Sequence, residues 1–270
     1  MKRIALTAAV LSIAGVLHAH DFWIQPSTFH PDPGSTVAIA LRVGQNFTGD
    51  PVPRVSRFID QFIIRQAGRD EDVNGIENSD PAGFLRADGQ ATAVIAYSTL
   101  GTDIELPAAK FEDYLRQEGL DSIIALRKKN GDSAKPGKER FFRYAKALLT
   151  GKRSSPAATE PIGFRYEIVP ADDPTVHVPA PFRAHVLYEG KPLAGALVVA
   201  MHRGALPVKI KTRTDRHGAF SLNLPAPGVW LIKSVHMISP SFFSFSSADW
   251  ESLWASLTFD APDIDRRHGM

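Results

Sequence analysis

Residues 182–201 read FRAHVLYEGKPLAGALVVAM, and this stretch decides the fold class. In its first half the inward-facing positions recur at every second residue, as Phe182, Ala184, Val186 and Tyr188. A period of two is typical of a β-strand with one buried face. The turn signal Gly190-Lys191-Pro192 then leads into a second apolar run over 193–201. The stretch therefore predicts two strands joined by a hairpin turn.

The same pattern extends from this stretch in both directions. Downstream, turn signals at 214–220 (TDRHGAF) and 225–228 (PAPG) precede an apolar run over 229–237. Upstream, residues 36–43 alternate, and short apolar runs at 58–64 and 93–97 are separated by Asp-Pro and Asp-Gly turns. We therefore predict a mainly β protein with two β-sandwich units, an N-terminal β-rich domain over 20–106 and a C-terminal sandwich over 162–262.

Between these units, residues 107–153 change to a spacing of three and four. Pro107 suits a first helical position, and Phe111, Tyr114 and Leu115 would share one helix face. A second helix is expected over 138–149. The sequence thus predicts a short helical insertion at 107–153, followed by a linker at 154–161, with a polar tail at 263–270.

Residues 127–153 also carry ten Lys and Arg against two acids. This local excess indicates either a solvated helix face or a surface for an anionic ligand or lipid headgroup.

Residues 1–19 read MKRIALTAAVLSIAGVLHA, with a basic head, an apolar stretch and a small residue at Ala19. This pattern is typical of a cleavable secretory signal. Its apolar part is shorter than the roughly 20 residues of a membrane-spanning helix. We expect cleavage after Ala19, which would leave 251 of the 270 residues as a soluble periplasmic protein of a Gram-negative envelope.

The composition excludes several classes of protein. Since the chain has no cysteine, a disulfide scaffold, a lipid anchor on cysteine, a thiol nucleophile and a Cys-ligated metal are all excluded. Without Lys2 and Arg3 the chain would carry 29 basic and 29 acidic residues. A neutral exported protein is a poor candidate for binding nucleic acid.

Cleavage would make His20 the first residue, and that position carries the strongest functional signal. The free α-amine and the imidazole Nδ1 of one residue can close a six-membered chelate ring around a metal ion. An internal histidine cannot offer that pair. A free terminus frays unless it is fixed, and the apolar residues Phe22, Trp23 and Ile24 would fix this one.

The other histidines differ in what their surroundings predict. Those expected at the solvated surface lie in loops, in turns or on a polar strand face: His30, His177, His185, His217 and His268. His236 shares a strand face with Trp230 and Ile232, so it should be partly buried and need a partner, either a backbone carbonyl or a metal. His202 ends its strand beside Arg203 and is a weaker candidate.

Two carboxylates, Asp249 and Glu251, stand beside Trp250 and Trp254, whose rings should pack on the sandwich. A carboxylate held there could be a third ligand or could orient an imidazole. The predicted metal site therefore has two nitrogen ligands and four further or orienting groups: His20 and His236, with Asp21, Asp249, Glu251 and His202.

Several motifs together resemble one family. They are AHDFWIQP at 19–26, RVGQ at 42–45, PVPR at 51–54, ELP at 105–107, YLRQEGL at 114–120, RYAKAL at 143–148, VLYEG at 186–190, KSVHM at 233–237 and residues 249–259. In these the chain resembles exported proteins with a domain of unknown function (DUF4198), which are labelled as the periplasmic component of cobalt/nickel uptake. The resemblance implies capture of Ni²⁺ or Co²⁺ and an inner-membrane metal transporter as partner.

The strand, hairpin and turn motifs of 182–237 also resemble the transthyretin-like and carboxypeptidase-regulatory-like sandwich. That resemblance implies a fold and leaves the function open, since such sandwiches host unrelated activities.

Three functions follow as hypotheses. The first is a periplasmic protein that binds nickel or cobalt for uptake, although nitrogen donors alone favour Cu²⁺ over Ni²⁺ and Ni²⁺ over Co²⁺. The second is a copper histidine brace with redox activity, the one enzymatic alternative, since the sequence lacks G-x-S-x-G, H-E-x-x-H, P-loop and G-x-G-x-x-G motifs. The third is a metal-free module that binds a protein or polysaccharide partner through Phe242-Phe243-Ser244-Phe245.

Overall fold

β-Strands predominate in the computed structural model, which describes residues 20–176, 181–204, 208–240 and 247–263. The strands in these ranges are β1 Asp21–Pro26, β2 Thr36–Gln45, β3 Thr48–Val52, β4 Ile59–Gln66, β5 Arg69–Asp72, β6 Gly83–Arg86, β7 Ala93–Thr99, β8 Thr102–Leu106, β9 Gly137–Leu149, β10 Tyr166–Pro170, β11 Phe182–Tyr188, β12 Lys191–Pro192, β13 Leu197–His202, β14 Val208–Arg213, β15 Ala219–Leu222, β16 Gly228–Ile238 and β17 Trp250–Ala261. The helices are α1 Ala108–Gln117 and α2 Asp121–Asn130. The predicted mainly β class is confirmed.

A central sheet of nine strands organises the molecule. Its order is β14-β13-β16-β17-β9-β7-β4-β5, with β8 also paired to β9. The β17–β9 pair is parallel, whereas the other pairs are antiparallel. One sheet thus joins strands from the two segments that the sequence assigns to separate units.

Two four-stranded sheets cover opposite faces of this central sheet. One contains β1, β2, β3 and β6, and the other contains β10, β11, β12 and β15. Alternation along β16 shows the two faces: Trp230 and Ile232 join the core beneath β10 and β11, whereas Leu231 packs with Trp23 of β1. The result is a β-sandwich on each side of a shared sheet.

The two apolar runs of 182–201 both form strands, but not with each other. β11 pairs with the two-residue β12, after which the chain crosses to the central sheet as β13. The predicted hairpin is therefore only two residue pairs long, because both runs find longer partners, β10 for β11 and β16 for β13.

The helices cover the remaining part of the face that carries β1. Phe111 and Leu115 of α1 share a core with Val235 and Met237 of β16. α1 begins at Ala108, with Pro107 as its N-cap, one residue later than the first helical position predicted at Pro107. α2 ends at Asn130 and is capped by Gly131, whose φ of 73° is the left-handed conformation that favours glycine. No helix in the described ranges is long and apolar enough to cross a membrane.

The helix predicted over 138–149 is wrong, because this segment is strand β9. Phe141, Tyr144, Ala145 and Leu148 are spaced as on a helix face, but β9 is a central strand covered on both sides. Such strands bury residues of both parities, so their apolar pattern loses the period of two.

The basic run 127–153 is partly internal. Lys146 Nζ lies 2.6 Å from Glu167 Oε1, and Arg127 Nε lies 2.8 Å from Glu112 Oε1. Both basic side chains are buried. The run is therefore not simply a solvated helix face, since Arg127 and Lys146 are buried in ion pairs within the protein.

Candidate functional site

The strand that follows His20 is held firmly in the protein. Phe22, Trp23 and Ile24 are 4%, 1% and 0% exposed. β1 pairs with β2 along its whole length, and Thr258 Oγ1 of β17 donates to the Ile24 carbonyl oxygen at 2.9 Å. His20 itself is half-buried. The three apolar residues after His20 are thus buried, as expected from the sequence.

β1 begins beside a seam, the line where the β1–β2 sheet and the helices meet on the central sheet. We define the seam by Asp21, Glu118, Arg143, Lys233 and Trp254. Arg143 of β9 and Trp254 of β17 are register partners on its floor, and Lys233 of β16 lies on the same face. Asp21 belongs to β1, and Glu118 caps the C-terminus of α1.

Three of these side chains form a buried ionic cluster. Lys233 Nζ lies 2.7 Å from Glu118 Oε1, also forms an ion pair with Asp21 Oδ1, and lies 5.7 Å from the centroid of the Trp254 ring. Each of the three charged side chains is 8% exposed. With all three ionised, the cluster carries a net charge of −1.

The cluster sets the pKa values of its members in opposing ways. Burial lowers the pKa of Lys233, but Glu118 and Asp21 more than compensate, so this pKa is raised. Burial also raises the pKa of Glu118, and Lys233 only partly offsets it. The ion pairs therefore hold the ammonium in its charged form.

A second buried acid lies under the helices. Glu139 of β9 accepts hydrogen bonds from Ser252 Oγ and, at 3.5 Å, from Tyr114 Oη. Its other carboxylate oxygen has no hydrogen-bond partner among the described residues. Burial raises the pKa of Glu139 to about 7, against the smaller lowering by these donors. The helix predicted over 138–149 gives no indication that Glu139 is a buried strand residue.

His236 lies on the other face of the central sheet. Its ring packs 4.9 Å from Tyr188 and 5.8 Å from Tyr166, measured between centroids. Burial, and then the nearby Arg165, lower its pKa. His236 is thus partly buried on the predicted face, but that face is turned away from β1.

The remaining candidates are also engaged elsewhere. Glu251 shares the face of His236 and lies 2.8 Å from Arg165 Nη1. His202 Nε2 lies 2.9 Å from the Pro227 carbonyl oxygen. Asp249 lines a separate cavity of about 370 Å³ with Arg127 and Trp250.

Of the predicted ligands within the described residues, Asp21 is therefore the one that lies next to His20, and the central sheet separates His20 from His236. Within the four described ranges, no group of three or more His, Asp or Glu side chains is arranged to hold a metal ion.

The histidines predicted at the surface and the two tryptophans lie partly within the described residues. His30, His185 and His217 are exposed, as predicted, and His30 Nε2 lies 2.9 Å from Asp260 Oδ2. Trp250 and Trp254 are buried, and Trp254 stacks on Tyr114 with centroids 5.6 Å apart. The predictions for His177, His268 and the segment 242–245 lie outside the described residues.

Comparison with known proteins gives one family match. The sequence profile of a family described as "Domain of unknown function (DUF4198)" matches residues 17–238. No curated protein matches the chain. Among solved structures, the chain is similar to the "D0-D1 domain of Intimin", at 12% identity and a TM-score of 0.20, over 88% of this chain and 97% of that one.

Proposed function

This chain belongs to the DUF4198 family, and we propose that it is a periplasmic protein that binds a divalent transition metal through His20. The metal is cargo, Ni²⁺ or Co²⁺, and passes to an inner-membrane transporter. The observation that carries the proposal is the burial of β1, because a chelating terminus must be fixed and this strand is paired with β2 and buried on both faces.

The donors at His20 suit such a metal. After cleavage behind Ala19, the α-amine and Nδ1 supply two nitrogens, and imidazole is a common ligand of nickel, copper and zinc. The neighbouring Asp21–Lys233–Glu118 cluster supports the proposal because it holds the residue after His20 in place, while its charge of −1 is balanced by Arg143 of the same seam. Two protein donors leave several coordination positions for water or another ligand, which suits a protein that must release its metal.

The ligand set differs from the one predicted from sequence. His236 and Glu251 lie across the central sheet and belong to a separate cluster with Arg165 and two tyrosines. We therefore assign the chelate to His20 alone, with Asp21 held by Lys233 as the residue that fixes its position.

The test uses protein exported with its own leader and purified from the periplasm, with intact mass spectrometry to establish that it begins at His20. Isothermal titration with Ni²⁺, Co²⁺ and Cu²⁺ should show that His20→Ala weakens binding by at least about tenfold, the loss of roughly 1.4 kcal/mol.

His236→Ala is the matched control and should bind all three metals as the wild type does. Metal affinities that are unchanged in His20→Ala would overturn the proposal. A loss in His236→Ala as large as that in His20→Ala would overturn the assignment of ligands.

A further inference from the structure

Arg143 lies on the floor of the seam, and no carboxylate in the described part of the chain forms an ion pair with it. Its Cζ lies 4.7 Å from the ring centroid of Phe22 and 5.0 Å from that of Phe141. Burial lowers the pKa of Arg143 to about 10, and only Tyr97 acts in the opposite direction. The side chain nevertheless keeps partial access to solvent.

Other enclosed cations of this protein are compensated differently. Arg127, Lys146 and Lys233 each contact a carboxylate directly. A charge removed from water is costly unless it meets an opposite charge or hydrogen-bond acceptors. Aromatic faces supply part of that compensation for Arg143, but no described residue accepts a hydrogen bond from its guanidinium N–H groups, which keep access to solvent. The guanidinium N–H groups of Arg143 could therefore donate hydrogen bonds to a bound anion.

The position of Arg143 connects it to His20. His20 directly precedes β1 and is two residues from Phe22, whose ring contacts the guanidinium. An anion on Arg143 would therefore be a near neighbour of a metal on His20.

We propose that Arg143 binds a carboxylate of a small chelating ligand, so that the cargo arrives as a metal–carboxylate complex and not as a hydrated ion. This inference rests on the proposed function of His20. A guanidinium presents its N–H donors as a planar fork that matches a carboxylate. The ligand would also fill coordination positions that the two nitrogens of His20 leave open.

Two tridentate chelators test the preference. Iminodiacetate offers one nitrogen and two carboxylates, and diethylenetriamine offers three nitrogens, so their 1:1 nickel complexes leave the same number of positions open. By titration, the mature wild-type protein should bind the iminodiacetate complex about tenfold more tightly or better. Arg143→Gln should lose this preference while keeping its affinity for Ni²⁺ alone.

Two further variants control for charge and folding. Arg140→Gln removes the same charge from the opposite face of β9 and should keep the preference. Arg143→Lys keeps the charge without the planar fork and should lose most of the preference for the iminodiacetate complex. This variant serves as the test if Arg143→Gln does not fold. A preference equal to that of the wild type in both Arg143 variants would overturn the proposal.

A metal-free measurement separates this inference from the proposed function. Iminodiacetate alone should raise the thermal unfolding temperature of the wild type but not of Arg143→Gln. If nickel binds at His20 and iminodiacetate has no effect through Arg143, the carboxylate site is wrong and the metal site stands. If iminodiacetate acts through Arg143 but the affinity for nickel does not depend on His20, the anion site stands. The metal site at His20 is then wrong, and so is the metal–carboxylate complex as cargo.

Discussion

Replacing Glu139 with glutamine should remove one specific pH dependence from the stability of this protein. Glu139 is 2% exposed, and one of its carboxylate oxygens has no hydrogen-bond partner among the described residues. Burial raises its pKa from 4.5 to about 7 in the folded state. Glutamine has nearly the same shape and stays neutral at every pH.

The direction of this pH effect follows from which state, folded or unfolded, binds the proton of Glu139 more tightly. Below about pH 4.5 Glu139 is protonated in both states, and its contribution to stability is fully present. As the pH rises to about 7, the unfolded chain releases the proton first, so the wild type loses stability. A shift of this size corresponds to about 3 kcal/mol.

Urea unfolding between pH 4 and 8.5 measures this difference. Near pH 4 the two proteins should differ by less than about 1 kcal/mol, and near pH 8 Glu139→Gln should be the more stable by about 3 kcal/mol. Glu105→Gln, an exposed change on β8, should show no such divergence. Parallel stability curves for Glu139→Gln and the wild type would refute the reasoning.

Three other outcomes are expected. Lys233→Met leaves two buried carboxylates unpaired and should cost about 3–5 kcal/mol in urea unfolding, whereas the exposed Lys211→Met should change stability by less than about 0.5 kcal/mol; equal effects would contradict the role of the cluster. Glu167→Gln weakens the acceptor for the backbone N–H groups of 162–164 and for Lys146, so hydrogen exchange at 162–164 should become faster, and unchanged protection would count against this contact. Metal affinity at His20 should rise with pH until about 7.7–8.0, where the α-amine loses its proton; a flat profile would exclude the amine as a ligand.

The local parts of the fold could be predicted from sequence, because local physics determines them. Turn residues and a period of two identify β11 and β2, and Pro107 with Phe111 and Tyr114 identifies α1. β9 could not be recognised in this way. A strand buried on both faces carries apolar residues at helical as well as strand spacing, and only its neighbours in the sheet distinguish the two.

The candidate site was predictable only in part, for a related reason. Apolar residues after His20 predict anchoring, and alternation correctly places His236 on the face of Trp230. Alternation shows which residues of one strand share a face, however, but it does not show which of the two four-stranded sheets packs on that face. The seam brings together residues far apart in sequence, so neither the Asp21–Lys233 pair nor Arg143, which has no ion pair among the described residues, has a local signature.

The position of β17 has a consequence for how the chain folds. This strand is the last one along the described residues, yet it lies in the middle of the central sheet and is paired on both sides, with β16 and β9. The pairing of β17 with β9 joins segments that are far apart in sequence. Such a pairing raises the contact order, which slows folding. During synthesis, β9 and β16 each keep an unpaired edge until residues 250–261 have been made. A chain that stops before them would expose two long unpaired edges, which are templates for aggregation.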